Sequence, residues 1–305
     1  MVDEWSVVSI DDWALAGVET QGQHELYWYR HETRERTWLF KPARPERHHA
    51  AQEDVVEKLG SEIAALMGVP AARVELAVLG GQRGALVEDA RGHRWELQLG
   101  QVLMTEVLSD YDPTDRNHPG YNVQNVCRAL DGFAAPPDFE PTMNFNAFDV
   151  FSGYLLLDTL LAHCDRHDRN WAVIFPPSDE PQKKALCPSY DHAASLGFQL
   201  SDEKREEYLT GSRGGSVAEW ASKARATRFE RSKGESCQTL LELAQSALDL
   251  CPNETREYWR DRVLSVGCGS VSDVVAAAPD LTDIARRFTV ELVMVNRGRL
   301  LDVLS

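Results

Sequence analysis

The stretch "LLAHCDRHDRNWAVIF", residues 160 to 175, sets two histidines, two aspartates, two arginines and an asparagine between two apolar runs. Upstream of it, Phe148, Phe151, Tyr154, Leu155, Asp158, Leu161 and Ala162 fall near one face of a helix. Downstream, "WAVIF" reads as a short strand. A buried helix and a buried strand must therefore be joined by one charged loop. Such a loop can bind a metal, act as a general base, or form a solvated turn.

Zinc is the first of these to weaken. His163 and His167 are four apart, but the residue after His163 is Cys164, so HExxH is absent and no third ligand is evident. His167 reads instead as a brace for the loop. The six cysteines show no CxxC pair, which indicates reduced thiols rather than a zinc knuckle or a disulfide framework.

The 305 residues allow one large domain or two lobes, and 43% hydrophobic with 26% charged residues is the balance of a water-soluble chain. A net charge of -16 opposes nonspecific nucleic-acid binding. No run approaches the ~18 apolar residues of a membrane span, and the acidic start "MVDEWSVVSIDDW" is unlike a signal peptide. The expectation is a cytoplasmic protein with no membrane partner.

Two regions differ in character, and they predict an α+β chain of two lobes, 1–89 and 90–305. In the first, "HELYWYR" and "RTWLFKP" read as a hairpin, "AAQEDVVEKLGSEIAALMG" as a helix stopped by Gly68 and Pro70, and "ARVELAVLGGQRGALVED" as two strands about Gly80-Gly81. The sum is a small antiparallel sheet carrying one helix. From about residue 90 the pattern is mainly helical with polar loops. "TGSRGGS" at 210 to 216 lacks the GK[ST] ending of a phosphate-binding loop and reads as a flexible connection.

Phosphoryl transfer from ATP needs a carboxylate for the attacking hydroxyl, oxygen ligands for Mg²⁺ and a cation on the phosphates. Asp165 and Asn170 stand five residues apart, the separation of base and metal ligand in kinase catalytic loops. Asp191, in "SYDHAASLG", follows 26 residues after Asp165, across a strand and a turn that allow it to return beside Asn170. Lys41 ends the strand "WLFKP", and a helix carrying Glu53, Glu57 and Glu62 follows. A strand lysine held by a helix glutamate is the phosphate clamp of kinases.

"DTLLAHCDRHDRNWAVIF" with "LCPSYDHAASLGF" resembles the HipA-like serine/threonine kinases, and the DRHxxN core is also similar to phosphatidylinositol 3/4-kinases. The resemblance extends to "ERTWLFKP" and "VEKLGSEIAALMGVPAARVELA". It implies a bilobal protein-kinase-like fold, with Asp165 as catalytic base, Asn170 and Asp191 as Mg²⁺ ligands and Lys41 on the ATP phosphates. It favours Glu57 as the partner of Lys41, with Glu53 as the alternative. It places adenine at the backbone of Glu88, Asp89 and Ala90. The stretch matching the family's Gly-, Ser- and Lys-rich phosphate loop, "VETQGQHELYW", departs from it, with Gly22 alone and no lysine.

The activity implied is transfer of the ATP γ-phosphate to a Ser or Thr hydroxyl of a protein. Two alternatives stand beside it: a lipid or small-molecule kinase of the same fold, and a nucleotide-binding pseudokinase serving as an interaction module. The absence of a polybasic patch opposes an anionic bilayer. By analogy with founding relatives, an antitoxin-like or regulatory partner is implied, although no helix-turn-helix that would bind nucleic acid directly is evident.

Overall fold

Aromatic and β-branched residues at "YWYR", "TWLF" and "VELAVL" form strands because their bulk packs best on a pleated surface with one face buried. The computed structural model describes residues 4–19, 26–44, 52–91, 94–137, 139, 144–179, 182–231, 234 and 236–305. Its small lobe is a six-stranded sheet in the order β1-β5-β6-β4-β3-β2. The strands are β1 (Val7–Ser9), β2 (Ala14–Glu19), β3 (Leu26–Arg30), β4 (Trp38–Pro42), β5 (Val74–Leu79) and β6 (Gln82–Glu88). The sheet is mixed rather than wholly antiparallel, because β1 runs parallel to β5 at one edge while the other pairings are antiparallel. Lys41 lies opposite Ala85 in the β4–β6 pair.

Helix α1 (Glu53–Met67) buries Val55, Val56, Leu59, Ile63 and Met67. It ends at Gly68, whose φ of 73° is easily adopted only without a Cβ. A side chain there would also overlap the guanidinium of Arg262, whose Nε donates to the Met67 carbonyl at 2.8 Å. The same glycine thus stops the helix and admits a contact from the large lobe.

The large lobe carries a three-stranded sheet, β7 (Glu96–Leu99), β8 (Ala172–Phe175) and β9 (Ala185–Leu186), with β8 in the middle. Its helices are α2 (Gly100–Val107), α3 (Val123–Ala129), α4 (Ala147–Leu161), α5 (Asp202–Thr210), α6 (Val217–Ser222), α7 (Leu240–Leu248), α8 (Asn253–Ser265), α9 (Cys268–Ala277) and α10 (Asp283–Leu304). Every residue of α4 is buried, as expected for a helix apolar nearly all round at the centre of a lobe. It starts at a capping box between Asn146 and Asp149 and stops at Ala162, which turns left-handed with φ 53°. Among the described residues no helix is long and apolar enough to cross a membrane.

Close packing of α4 on α8 rests on Gly153. A Cβ there would lie 2.2 Å from Cζ2 of Trp259, whose indole is fully buried and donates to the Asp149 carbonyl. Gly153→Ala is therefore expected to lower the unfolding free energy by about 1–3 kcal/mol through overpacking, although alanine is the better helix former. Urea denaturation measures this; a stabilised variant would show that the helices separate freely.

The lobes meet where the segment after α1 runs beside the segment after β9. Ser189 N–H donates to the Pro70 carbonyl at 2.9 Å, and Ala72 N–H donates back to the Ser189 carbonyl at 2.8 Å. This two-bond stitch lies two residues before Asp191.

Candidate active site

Strand β4, helix α1 and the segment after β9 each bring one charged group to the cleft. Lys41 Nζ lies 2.9 Å from Asp191 Oδ1 and 3.7 Å from Glu57 Oε1. Glu57 is buried, and its Oε1 also accepts the Asp191 N–H at 3.1 Å. Glu53 is occupied elsewhere, bound by Arg44 at 2.8 Å, and Glu62 pairs with Lys58. Of the acidic residues on α1, Glu57 is the one beside Lys41.

Asp191 adopts φ 63°, a left-handed conformation that costs free energy for a residue with a side chain. The ion pair with Lys41 and the N–H bond to Glu57 hold it there. Gly60, one turn after Glu57, has no room for a Cβ, because His192 Cβ would be 2.5 Å away. Helix α1 therefore sits directly on the segment that carries Asp191.

The loop between α4 and β8 is folded around its own backbone. The Asp165 carbonyl accepts from His167 N–H at 2.8 Å and from Asn170 Nδ2 at 2.7 Å. Asn170 thereby directs its amide nitrogen inward, and among the described residues its Oδ1 accepts no hydrogen bond. His167 Nδ1 accepts from Arg169 N–H at 3.1 Å, a bracing contact. Burial pushes the His167 imidazole below its ordinary value, so this ring acts as a neutral acceptor.

Arg166 is the hub of the loop. Only 2% exposed, it grips Asp158 of α4 through Nε at 2.9 Å and Nη2 at 2.7 Å. Its remaining donors reach the Asn170 carbonyl at 2.6 Å, Ser189 Oγ at 3.1 Å and the Tyr190 carbonyl at 3.5 Å. One guanidinium therefore sets the Asn170 backbone against the backbone just before Asp191.

A family model, the HipA-like C-terminal domain, matches residues 13–265. The chain belongs to that family. No curated protein matches it by sequence. Among solved structures it is similar to the Helicobacter pylori proinflammatory kinase CtkA, with TM-score 0.70 and 14% identity over 98% of this chain and 97% of that one. It is also similar to HipA of Shewanella oneidensis, solved with HipB and operator DNA as a toxin–antitoxin system. There the TM-score is 0.51 and the identity 13%, covering 99% of this chain and 65% of that one. At such identities the likeness shows the fold, which is the kinase-like α+β arrangement. Family and fold together support a kinase.

Electrostatics in this HipA-like cleft favour charged partners. Burial works against the Lys41 ammonium, but the carboxylates of Asp191 and Glu57 outweigh it and hold the group above its ordinary value. Lys41 in turn keeps the Asp191 carboxyl well below the usual range. Glu57 moves the opposite way, upward, chiefly through burial and partly through Asp191, with Lys41 opposing. Two carboxylates thus share one ammonium, and Asp191 is the one held firmly ionised.

The oxygen donors Asn170 Oδ1 and Asp191 fit the chemistry of Mg²⁺, which takes one or two protein oxygens and completes its shell with water and phosphates. Zinc has no such set: among the described residues no group of three His, Cys, Asp or Glu side chains could hold a metal. His163 is fully buried, neither ring nitrogen has a hydrogen-bond partner among the described residues, and burial pushes the imidazole below its ordinary value.

Gly22 lies outside the described residues. Of the three residues proposed around adenine, Asp89 uses its N–H on the Thr37 carbonyl and its carbonyl on Arg36, while Glu88 N–H donates to the Arg73 carbonyl. These groups continue the pairing at the end of β6 toward the residues that precede β5 and β4, and Ala90, like Tyr190, packs on apolar clusters of both sheets.

Two residues escaped the reading of the sequence. Arg166 had a signal, since Asp158, set in the run "YLLLDTLL" at the buried C-terminal half of α4, requires a buried cation. Arg228 had none. Its Nε lies 2.5 Å from Asp165 Oδ1, across 63 residues of sequence.

Proposed function

We propose that this chain is a Mg-ATP-dependent kinase that transfers the γ-phosphoryl group to a Ser or Thr hydroxyl of a protein. The observation that carries the reading is the meeting of Lys41, Glu57 and Asp191 from three separate elements, beside a loop that holds Asp165 and Asn170. Lys41 would lie on the phosphates, positioned by Glu57. Asn170 Oδ1 and the Asp191 carboxylate would hold Mg²⁺, which when bound neutralises phosphate charge. Asp165 would orient the acceptor hydroxyl and take its proton. The neighbour solved with HipB supports looking for a protein partner of comparable, regulatory kind.

Lys41 and Asp191 pair with each other, and Mg-ATP would offer phosphate oxygens to the first and Mg²⁺ to the second. Mg-ATP at about 100 times its Kd is expected to stabilise the fold by ~2.7 kcal/mol, seen as a rise in Tm that ATP with chelator does not reproduce. Incubation with γ-labelled ATP then identifies the acceptor class. Label on protein supports the reading; label extracted into organic solvent would replace it with a lipid kinase, and binding without turnover with a pseudokinase.

A further inference from the structure

Asp165 has a partner that a solvated loop aspartate would not need. Arg228 Nε donates to Asp165 Oδ1 at 2.5 Å, with the arginine 46% and the aspartate 31% exposed. No other hydrogen bond to the Asp165 carboxylate is found among the described residues. Arg228 lies in the connection between α6 and α7, far from the catalytic loop in sequence.

That connection is fastened on both sides of Arg228. Thr227 Oγ1 donates to the Cys164 carbonyl at 3.2 Å, and Ala226 N–H to the Gln238 carbonyl at 2.9 Å. Glu230 N–H donates to the Tyr121 carbonyl at 2.8 Å, and Arg231 N–H to the Asn117 carbonyl at 3.1 Å. Phe229 is buried and stacks on Tyr121, with ring centroids 4.5 Å apart. Tyr121 OH donates to the Arg166 carbonyl, one residue from Asp165, and accepts from Trp171 Nε1. One tyrosine therefore references both ends of the ion pair: the backbone beside Asp165 and the ring beside Arg228.

We infer that Arg228 is a positioning residue for Asp165, held so that its Nε fixes one carboxylate oxygen and leaves the other for the acceptor. This rests on the kinase reading above. A carboxylate on two free torsions samples many orientations, and displacement by about 1 Å can cost ~100-fold in rate. In the step it serves, an acceptor oxygen bonds the γ-phosphorus as the bond to the bridging oxygen breaks. ADP leaves with that electron pair, and the acceptor proton passes to Asp165 Oδ2 and then to solvent. The anchored backbone distinguishes this from a lid: Thr227 beside Arg228 is bonded to the Cys164 carbonyl of the catalytic loop.

The test is ADP release from Mg-ATP by the full chain, which counts transfer to water and to protein hydroxyls alike. Arg228→Ala is expected to lower kcat ~10- to 100-fold with KM for Mg-ATP within about twofold, and Arg228→Lys to recover part of the loss. Because exposed ion pairs add little stability, Tm should stay within about 2 °C. A kcat that is unchanged or raised in Arg228→Ala overturns the inference, the raised value marking an inhibitory pair. A loss matched by a fall in Tm of many degrees also overturns it, in favour of a structural role. Asp165→Asn separates the two levels: if it is inactive while Arg228→Ala is normal, only this inference fails. If Asp165→Asn turns over like the wild type, or the wild type releases no ADP, the kinase reading fails with it.

Discussion

Asp165→Asn is expected to reduce ATP turnover by about 10²- to 10⁴-fold, the range for loss of a general base. The amide is nearly isosteric with the carboxylate but carries no charge and accepts no proton at its nitrogen. Nothing that folds the loop depends on the carboxylate, because His167 N–H and Asn170 Nδ2 both bond to the Asp165 backbone carbonyl. The side chain's own ion pair with Arg228 is partly exposed to solvent, and such surface pairs contribute about 0–1 kcal/mol. Turnover and stability should therefore separate: activity falls by orders of magnitude, while Tm and the Tm shift with Mg-ATP stay close to wild type. Steady-state ADP release and thermal unfolding, measured on one preparation, check both halves. Wild-type turnover in this variant would remove Asp165 from the chemistry.

Much of this architecture is legible because its parts are local. The strand "WLFKP" is marked by its aromatic and apolar run, helix α1 by its spacing and its Gly68 stop, and the hairpin of β5 and β6 by Gly80-Gly81. Helix α4 and strand β8 appear on either side of the charged loop where the apolar runs place them. What stays hidden is set by distance. Strand β1 has three residues, two of them exposed, too few to show a period, and its parallel pairing with β5 is decided by the far side of the lobe.

The same contrast runs through the site. Asp165 and Asn170 carry a spacing that can be read directly, and so do Lys41 and the acidic helix after it. Between Glu53 and Glu57, both on α1, the family resemblance favours Glu57 through its distance to "MGVP", but the physical reason is not in that spacing. It turns on Arg44 taking Glu53, which leaves the buried Glu57 for Lys41. Arg228 is further removed still, because its direct pair with Asp165 depends on a third segment, where Tyr121 meets both Phe229 and the Arg166 carbonyl. Eye-catching histidines proved to be poor guides: His163 is a buried ring, and His167 a hydrogen-bond acceptor inside its loop.

Arg166→Met is expected to be the most destabilising single change in the site, costing about 3–5 kcal/mol by denaturant titration, because it leaves Asp158 as a buried charge without its partner. The two side chains are 2% and 1% exposed and make a two-point contact, so solvent cannot replace the lost guanidinium. The double variant Asp158→Leu/Arg166→Met removes both charges and should recover most of that loss, since apolar residues of similar volume often replace a buried pair at no cost. Recovery of stability should not bring back activity. Arg166 also bonds the Asn170 carbonyl, Ser189 Oγ and the Tyr190 carbonyl, and a methionine offers none of those donors. Strands β8 and β9 would remain paired, but Asn170 and Asp191 would lose the group that sets their backbones side by side. A double variant that is stable, binds Mg-ATP weakly and turns over slowly is therefore the expected result. Full activity in that variant would mean that the pairing of β8 with β9 alone brings Asn170 and Asp191 into place, and that Arg166 serves only the fold.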